Sequence, residues 1–103
     1  MQFTIRGIHP VDEQHCHLVE VELDGDGSLN WGEVTQAAPG QPPRNWQVAY
    51  DEQPLDRDRH RWAFFIHYLD LNAPLLTPFG PVRLPAPTPR PPHLAHVMYI
   101  EPD

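Results

Sequence analysis

The chain contains no lysine, and all seven of its basic side chains other than histidine are arginines. Without lysine there is no Schiff-base chemistry and no phosphate-gripping P-loop lysine. Serine occurs once, at Ser28, inside Asp26-Gly27-Ser28-Leu29, which lacks the small residues of a nucleophile elbow. Cys16 is the sole cysteine, which excludes an internal disulfide and a paired-cysteine zinc site. The glycines never form a dinucleotide-binding fingerprint between a strand and a helix. The longest apolar run, Trp62 to Ile66, falls far short of the ~20 residues that span a bilayer. The opening Met1-Gln2-Phe3-Thr4-Ile5-Arg6 has no signal-peptide character, so a reducing cytoplasm is the expected compartment. Arginine in place of lysine throughout fits the codon usage of a GC-rich, bacterial genome.

What is present points to β structure. The 103 residues suffice for one domain, residues 1–103, with one modest core. Hydrophobic residues at 40% and charged ones at 20% sit in the globular range. The 14 prolines are too many for a helical bundle and favour strands with rigid connections. A net charge of -7 disfavours nucleic acid and anionic membrane as partners. Arg57, Arg59 and Arg61 alternate with Asp56 and Asp58, so they form no basic patch.

Phe3 to Arg6 alternates apolar and polar, as a half-buried first strand does. His15 to Leu23 predicts a longer strand, with His15, His17, Val19, Val21 and Leu23 on one face and Cys16, Leu18, Glu20 and Glu22 on the other. Adjacent strand residues point oppositely, so Cys16 and its flanking histidines make no Cys-His pair, and Cys16 reads as packing. Asp24-Gly25-Asp26-Gly27 signals a turn, and a strand over Leu29 to Thr35 follows. Trp46 to Tyr50 alternates as a further strand, expected to pair with the preceding one across Pro39 to Pro43. Asp51 to Arg61 reads as a charged loop and Asn72 to Pro81 as another.

Trp62 to Tyr68 is apolar on both faces, which marks a central strand or one whose face meets another layer or subunit. Leu94 to Ile100 shows the same pattern and is the expected last strand. Between them Pro85-Ala86-Pro87-Thr88-Pro89-Arg90-Pro91-Pro92 must run extended for ~25 Å, a strap returning the chain along a sheet edge. The expected architecture is therefore all-β: a small antiparallel β-sandwich or partly open barrel of about five to seven strands, with a proline-rich connection before the last strand.

Two segments carry metal chemistry. Glu22 to Glu33 resembles an EF-hand calcium loop, with Asp24 and Asp26 at the third and fifth ligand positions, Gly27 at the turn and Glu33 at the twelfth. The resemblance implies calcium, and helices over residues 12 to 36; Glu22 stands where that family has aspartate. His15 and His17 share a strand face, as metal-ligating strand histidines do. Followed by Glu22, they resemble the first motif of the cupins, and Pro78-Phe79-Gly80 resembles part of the second, although Arg83 stands where a third histidine belongs. That resemblance implies a divalent transition metal on His15 and His17, possible enzyme activity included. His67 reads as a core histidine, with a buried general base as the alternative, and His96 likewise; Glu20/Glu22 reads as solvated charge. The leading expectation is a non-catalytic binding or assembly module without a cofactor, meeting a protein partner or a second copy through an apolar sheet face.

Overall fold

A computed structural model describes residues 2–11, 16–24, 34–36, 45–56 and 59–98, with 45–59 described by backbone alone. Six strands run in chain order: β1 (Phe3–Pro10), β2 (Cys16–Asp24), β3 (Asn45–Asp56), β4 (Arg59–His67), β5 (Leu75–Thr77) and β6 (Gly80–Val82). The first four form one antiparallel sheet in the order β1-β2-β4-β3, and β5 and β6 form a second, two-stranded one. A single 3-10 turn, Pro92–Leu94, is the only helical element among the described residues. Among the described residues no helix is long and apolar enough to cross a membrane. The all-β expectation holds.

The irregular spacing of apolar residues in β1 explains its shape. Phe3, Ile5 and Ile8 are separated by two and then three positions, so strict alternation would send Ile8 to the wrong face. The ladder with β2 slips between Ile5 and Gly7: Ile5 pairs with Val21, Gly7 with Glu20 and Ile8 with Val19. This bulge keeps Phe3, Ile5 and Ile8 on one face and carries β1 on to Pro10, well past the strand expected from Phe3 to Arg6.

β2 and β4 are the interior strands, and each is packed on both faces. On one face Val19, Val21, Leu23, Phe64 and Ile66 join Phe3, Ile8, Val34, Leu69 and Leu75. The second sheet lies over that face, with Val82 and Leu84 packed against the cluster. On the other, Cys16, Leu18, Ala63 and Phe65 meet Leu94 and Val97 from the C-terminal segment. The doubly apolar pattern of Trp62 to Tyr68 thus marks a central strand whose faces are filled by its own chain. Tyr68, at φ 58°, follows the end of β4.

Two expectations from pattern are corrected. Asp51 to Arg61 is mostly ladder: β3 continues to Asp56 and β4 begins at Arg59, so charge there sits on paired strands. β3 pairs with β4; of the strand expected over Leu29 to Thr35, residues 29–33 lie outside the described residues, and Thr35 is bridged to Leu76 by reciprocal bonds of 3.0 and 2.7 Å. Asn72 to Pro81 contains β5 and most of β6, with Gly80 at φ 106° in the turn that joins them. Buried Gln36 pins the preceding turn by accepting from Asp70 N–H at 2.8 Å and donating to the carbonyls of Asp70 and Ala73.

The proline-rich strap follows the edge of β1. Prolines have no N–H, so only Ala86, Thr88 and Arg90 in residues 85–92 can donate from the backbone. Thr88 does so, to Ile8 O at 2.9 Å. The strap then folds over the sheet instead of becoming the last strand expected at Leu94 to Ile100. Leu94 lies in the 3-10 turn, residues 95–98 are irregular, and 99–100 lie outside the described residues. The Arg90 side chain holds this end in place, donating from Nε to Leu94 O at 2.9 Å and from its terminal nitrogen to Val97 O. Leu94 therefore behaves as core although its segment is not a strand. Replacing Leu94 with alanine is expected to destabilise the protein by about 2–4 kcal/mol in urea unfolding, whereas Met98→Ala, at an exposed position, should change it by less than about 0.5 kcal/mol.

Candidate functional site

Glu20 and Glu22 both lie buried on the face of β2 that meets the C-terminal segment. They are interior charges, not the solvated ones expected, because β2 is flanked by β1 and β4 along its length. Glu22 pairs with Arg6, which sits at the β1 bulge, at 3.7 Å, and Arg61 of β4 is its cross-strand neighbour. Glu20 has different surroundings.

The cross-strand partners of Glu20 are Gly7 on β1 and Ala63 on β4. These small residues leave a hollow around the carboxylate, and two imidazoles occupy it. His93 comes down from the strap and places Nε2 2.7 Å from Glu20 Oε2. His9, two residues beyond Gly7 on the same face, sets Nε2 3.7 Å from Glu20 Oε1. The His9 and Glu20 side chains are 5% and 10% exposed, against 39% for His93, so the cluster opens to solvent on the strap side.

His9 is positioned from both ends. Its Nδ1 lies 3.2 Å from the Thr88 carbonyl oxygen and 3.2 Å from the Thr88 hydroxyl, so the strap residue that bonds Ile8 also orients this ring. On the sheet side, a Cβ at position 7 would stand 2.7 Å from His9 Cε1 and 2.8 Å from Nε2. Glycine is required there because the imidazole lies against the backbone. His9 Nε2 is buried and has no hydrogen-bond partner. Leaving a buried polar atom unsatisfied costs about 1–3 kcal/mol, so its retention calls for an explanation.

The residues singled out from the sequence fall elsewhere. His17 is half-buried on β2, on the Val19 and Val21 face, opposite Glu20 and Glu22. His17 and Glu22 therefore stand on opposite faces of β2, and His15 lies outside the described residues. Pro78-Phe79-Gly80 is the β5–β6 turn, tied by Thr77 Oγ1, which donates to Gly80 O at 2.8 Å and accepts from Phe79 N–H at 3.0 Å. Of the EF-hand-like loop, Glu22 to Asp24 belong to β2, so a strand stands where the entering helix should be; residues 25–33 lie outside the described residues. Cys16 is buried among Leu18, Phe65 and Leu94, as a packing residue is. His67 is half-buried, facing Cys16 across the ladder.

The sequence contains one legible trace of the cluster. His9 follows Gly7 by two positions in a segment whose apolar spacing requires a bulge, and Glu20 interrupts a run of buried residues. Nothing in the sequence ties His93 to either. Compared with known proteins, the chain matches no family model, no curated protein and no solved structure.

Gly7→Ala is expected to destabilise the fold by about 1–3 kcal/mol and to shift the His9 imidazole resonances in NMR spectra, because the ring must leave its place against the backbone.

Proposed function

We propose that this chain is a small non-catalytic binding module whose working part is the Glu20 carboxylate between His9 and His93. One observation carries this reading. A sheet face that otherwise builds a core from Cys16, Leu18, Ala63 and Phe65 gives up a central position to a buried carboxylate and a buried imidazole with an unpartnered nitrogen. Apolar residues would fill the same volume at no desolvation penalty. Lysine is absent from the chain and the Cys16 thiol is buried in the apolar cluster, which favours binding over covalent chemistry.

A second copy of the chain or another protein remains the macromolecular partner in a parallel reading, and nucleic acid is disfavoured by the charge of -7. Its support has moved from the sheet faces, which the chain covers itself, to the sheet edge: β3, 12 residues long, ends the four-stranded sheet among the described residues. A micromolar solution that scatters light as a strict monomer would remove this reading. His15 and His17 stand as a separate metal-binding alternative, and calcium at 22–33 as another. A sandwich or partly open barrel of about five to seven strands is the architecture that accompanies the proposal, with β5 and β6 laid over the main sheet. A bacterial cytoplasm is the setting it assumes, in keeping with the lone, buried thiol of Cys16.

The experiment separates a binding site from a structural clasp. In the clasp, where the His93–Glu20 bond is what holds the strap to the sheet, apolar replacement of all three groups should lower the urea midpoint. In the binding site, the triple variant His9→Leu/Glu20→Met/His93→Leu is expected to unfold cooperatively at the same or a higher urea midpoint, with a gain of about 0–4 kcal/mol.

A further inference from the structure

Resting on the reading of this cluster as a binding site, we propose that its ligand is one divalent transition-metal ion, held by His9 Nε2, the Glu20 carboxylate and His93 Nε2.

The reason begins at the far side of the His9 ring. Nδ1 faces the Thr88 carbonyl oxygen at 3.2 Å, and a carbonyl can only accept, so this bond forms in the tautomer that carries the ring proton on Nδ1. The Thr88 hydroxyl lies at the same distance on that side and can accept from that proton as well. Nε2 then turns its lone pair toward Glu20 Oε1, 3.7 Å away, in a place shielded from water. Two electron-rich atoms facing each other across that gap repel, and a cation between them reverses the sign. An ion about 2.1 Å from each atom, with the two 3.7 Å apart, would see them at roughly 124°, close to the trigonal value. A backbone carbonyl behind the distal ring nitrogen is the usual support of a metal-bound imidazole, because it fixes the tautomer and the ring plane. Gly7 and Ala63 supply the room beside the carboxylate.

His93 is the third donor, and it must move to serve. It now bonds Glu20 Oε2 directly at 2.7 Å, and no three ligand-type side chains among the described residues surround a common point. It is also the exposed member of the cluster, carried on the strap, so its ring can turn from Oε2 onto an ion entering from that side. Two imidazoles and one carboxylate suit zinc and the neighbouring divalent transition metals, whereas calcium and magnesium call for oxygen donors. The rival cation is a proton on Nε2, which would make His9 an imidazolium beside Glu20 and leave no place for a metal.

The test titrates Zn2+ and then Co2+ into the full chain after dialysis against a chelator. One equivalent of Zn2+ is expected to bind with a Kd below about 10 μM. The His9 and His93 imidazole resonances should shift together, and Co2+ should develop the visible absorption of a low-coordinate site. His93→Gln, on the exposed strap, and His9→Gln should each weaken binding at least about 10-fold, and His96→Gln should leave it unchanged. Circular dichroism of each variant checks that the fold persists. Binding weaker than about 100 μM, or equal binding by wild type, His9→Gln and His93→Gln, overturns the proposal. The apolar triple variant keeps the two readings apart. If it stays stable while Zn2+ fails to bind, the binding site stands with another ligand; if it loses stability and Zn2+ fails, both are lost.

Discussion

β2 and β4 pair without interruption from Cys16 opposite His67 to Asp24 opposite Arg59, and the rest of the molecule is arranged around that ladder. It places Leu18 beside Phe65 and Val19 beside Phe64, so that two cores grow from one pair of strands, one on each face. A ladder buried on both faces needs cover on both. The β5–β6 sheet supplies one cover and the C-terminal strap the other. The same ladder buries Glu20, since a side chain in the middle of an interior strand keeps little access to water once the strap is down. Chain order does not dictate this arrangement: β4 enters between β2 and β3.

The bulge in β1 joins the fold to the site. Without the slip between Ile5 and Gly7, Arg6 would stand opposite Glu20 and compensate it as it now compensates Glu22. With the slip, glycine takes that position, the space beside the carboxylate opens, and His9 folds into it. One extra residue thus serves the core, by returning Ile8 to its face, and at the same time removes the natural countercharge of Glu20. Imidazoles replace a guanidinium, and imidazoles can ligate where a guanidinium cannot.

The strap links the two halves of this arrangement. Thr88 contributes its N–H to the edge of β1 and its carbonyl and hydroxyl to His9, five residues before His93 meets Glu20. Closely spaced prolines hold the backbone extended between these attachments, so the register of Thr88 on β1 sets where His93 descends. Edge protection follows as well, since the exposed side of β1 is occupied by a segment that has few N–H groups to offer a neighbour.

Local pattern sufficed for the all-β class, for β2 nearly end to end, for the central position of β4 and for the extended course of residues 85–92. Each follows from alternation, from double-sided apolarity or from the proline ring. It also sufficed to exclude chemistry that needs a lysine, since an absent residue acts nowhere. Pattern misled where a feature depends on its partner. Asp51 to Asp56 looks like solvated loop until β4 pairs with it, Leu94 looks like strand until it is seen to fill a core from a 3-10 turn, and Glu20 looks exposed until three segments close over it. The candidate site belongs wholly to this second group. His9, Glu20 and His93 lie far apart in the chain, and no spacing rule connects them; a bulge, a ladder register and one threonine on the strap do. The sequence by itself determined which faces could be buried. Tertiary structure alone decided which polar groups were buried with them, because burial of a charge is a property of everything packed around it.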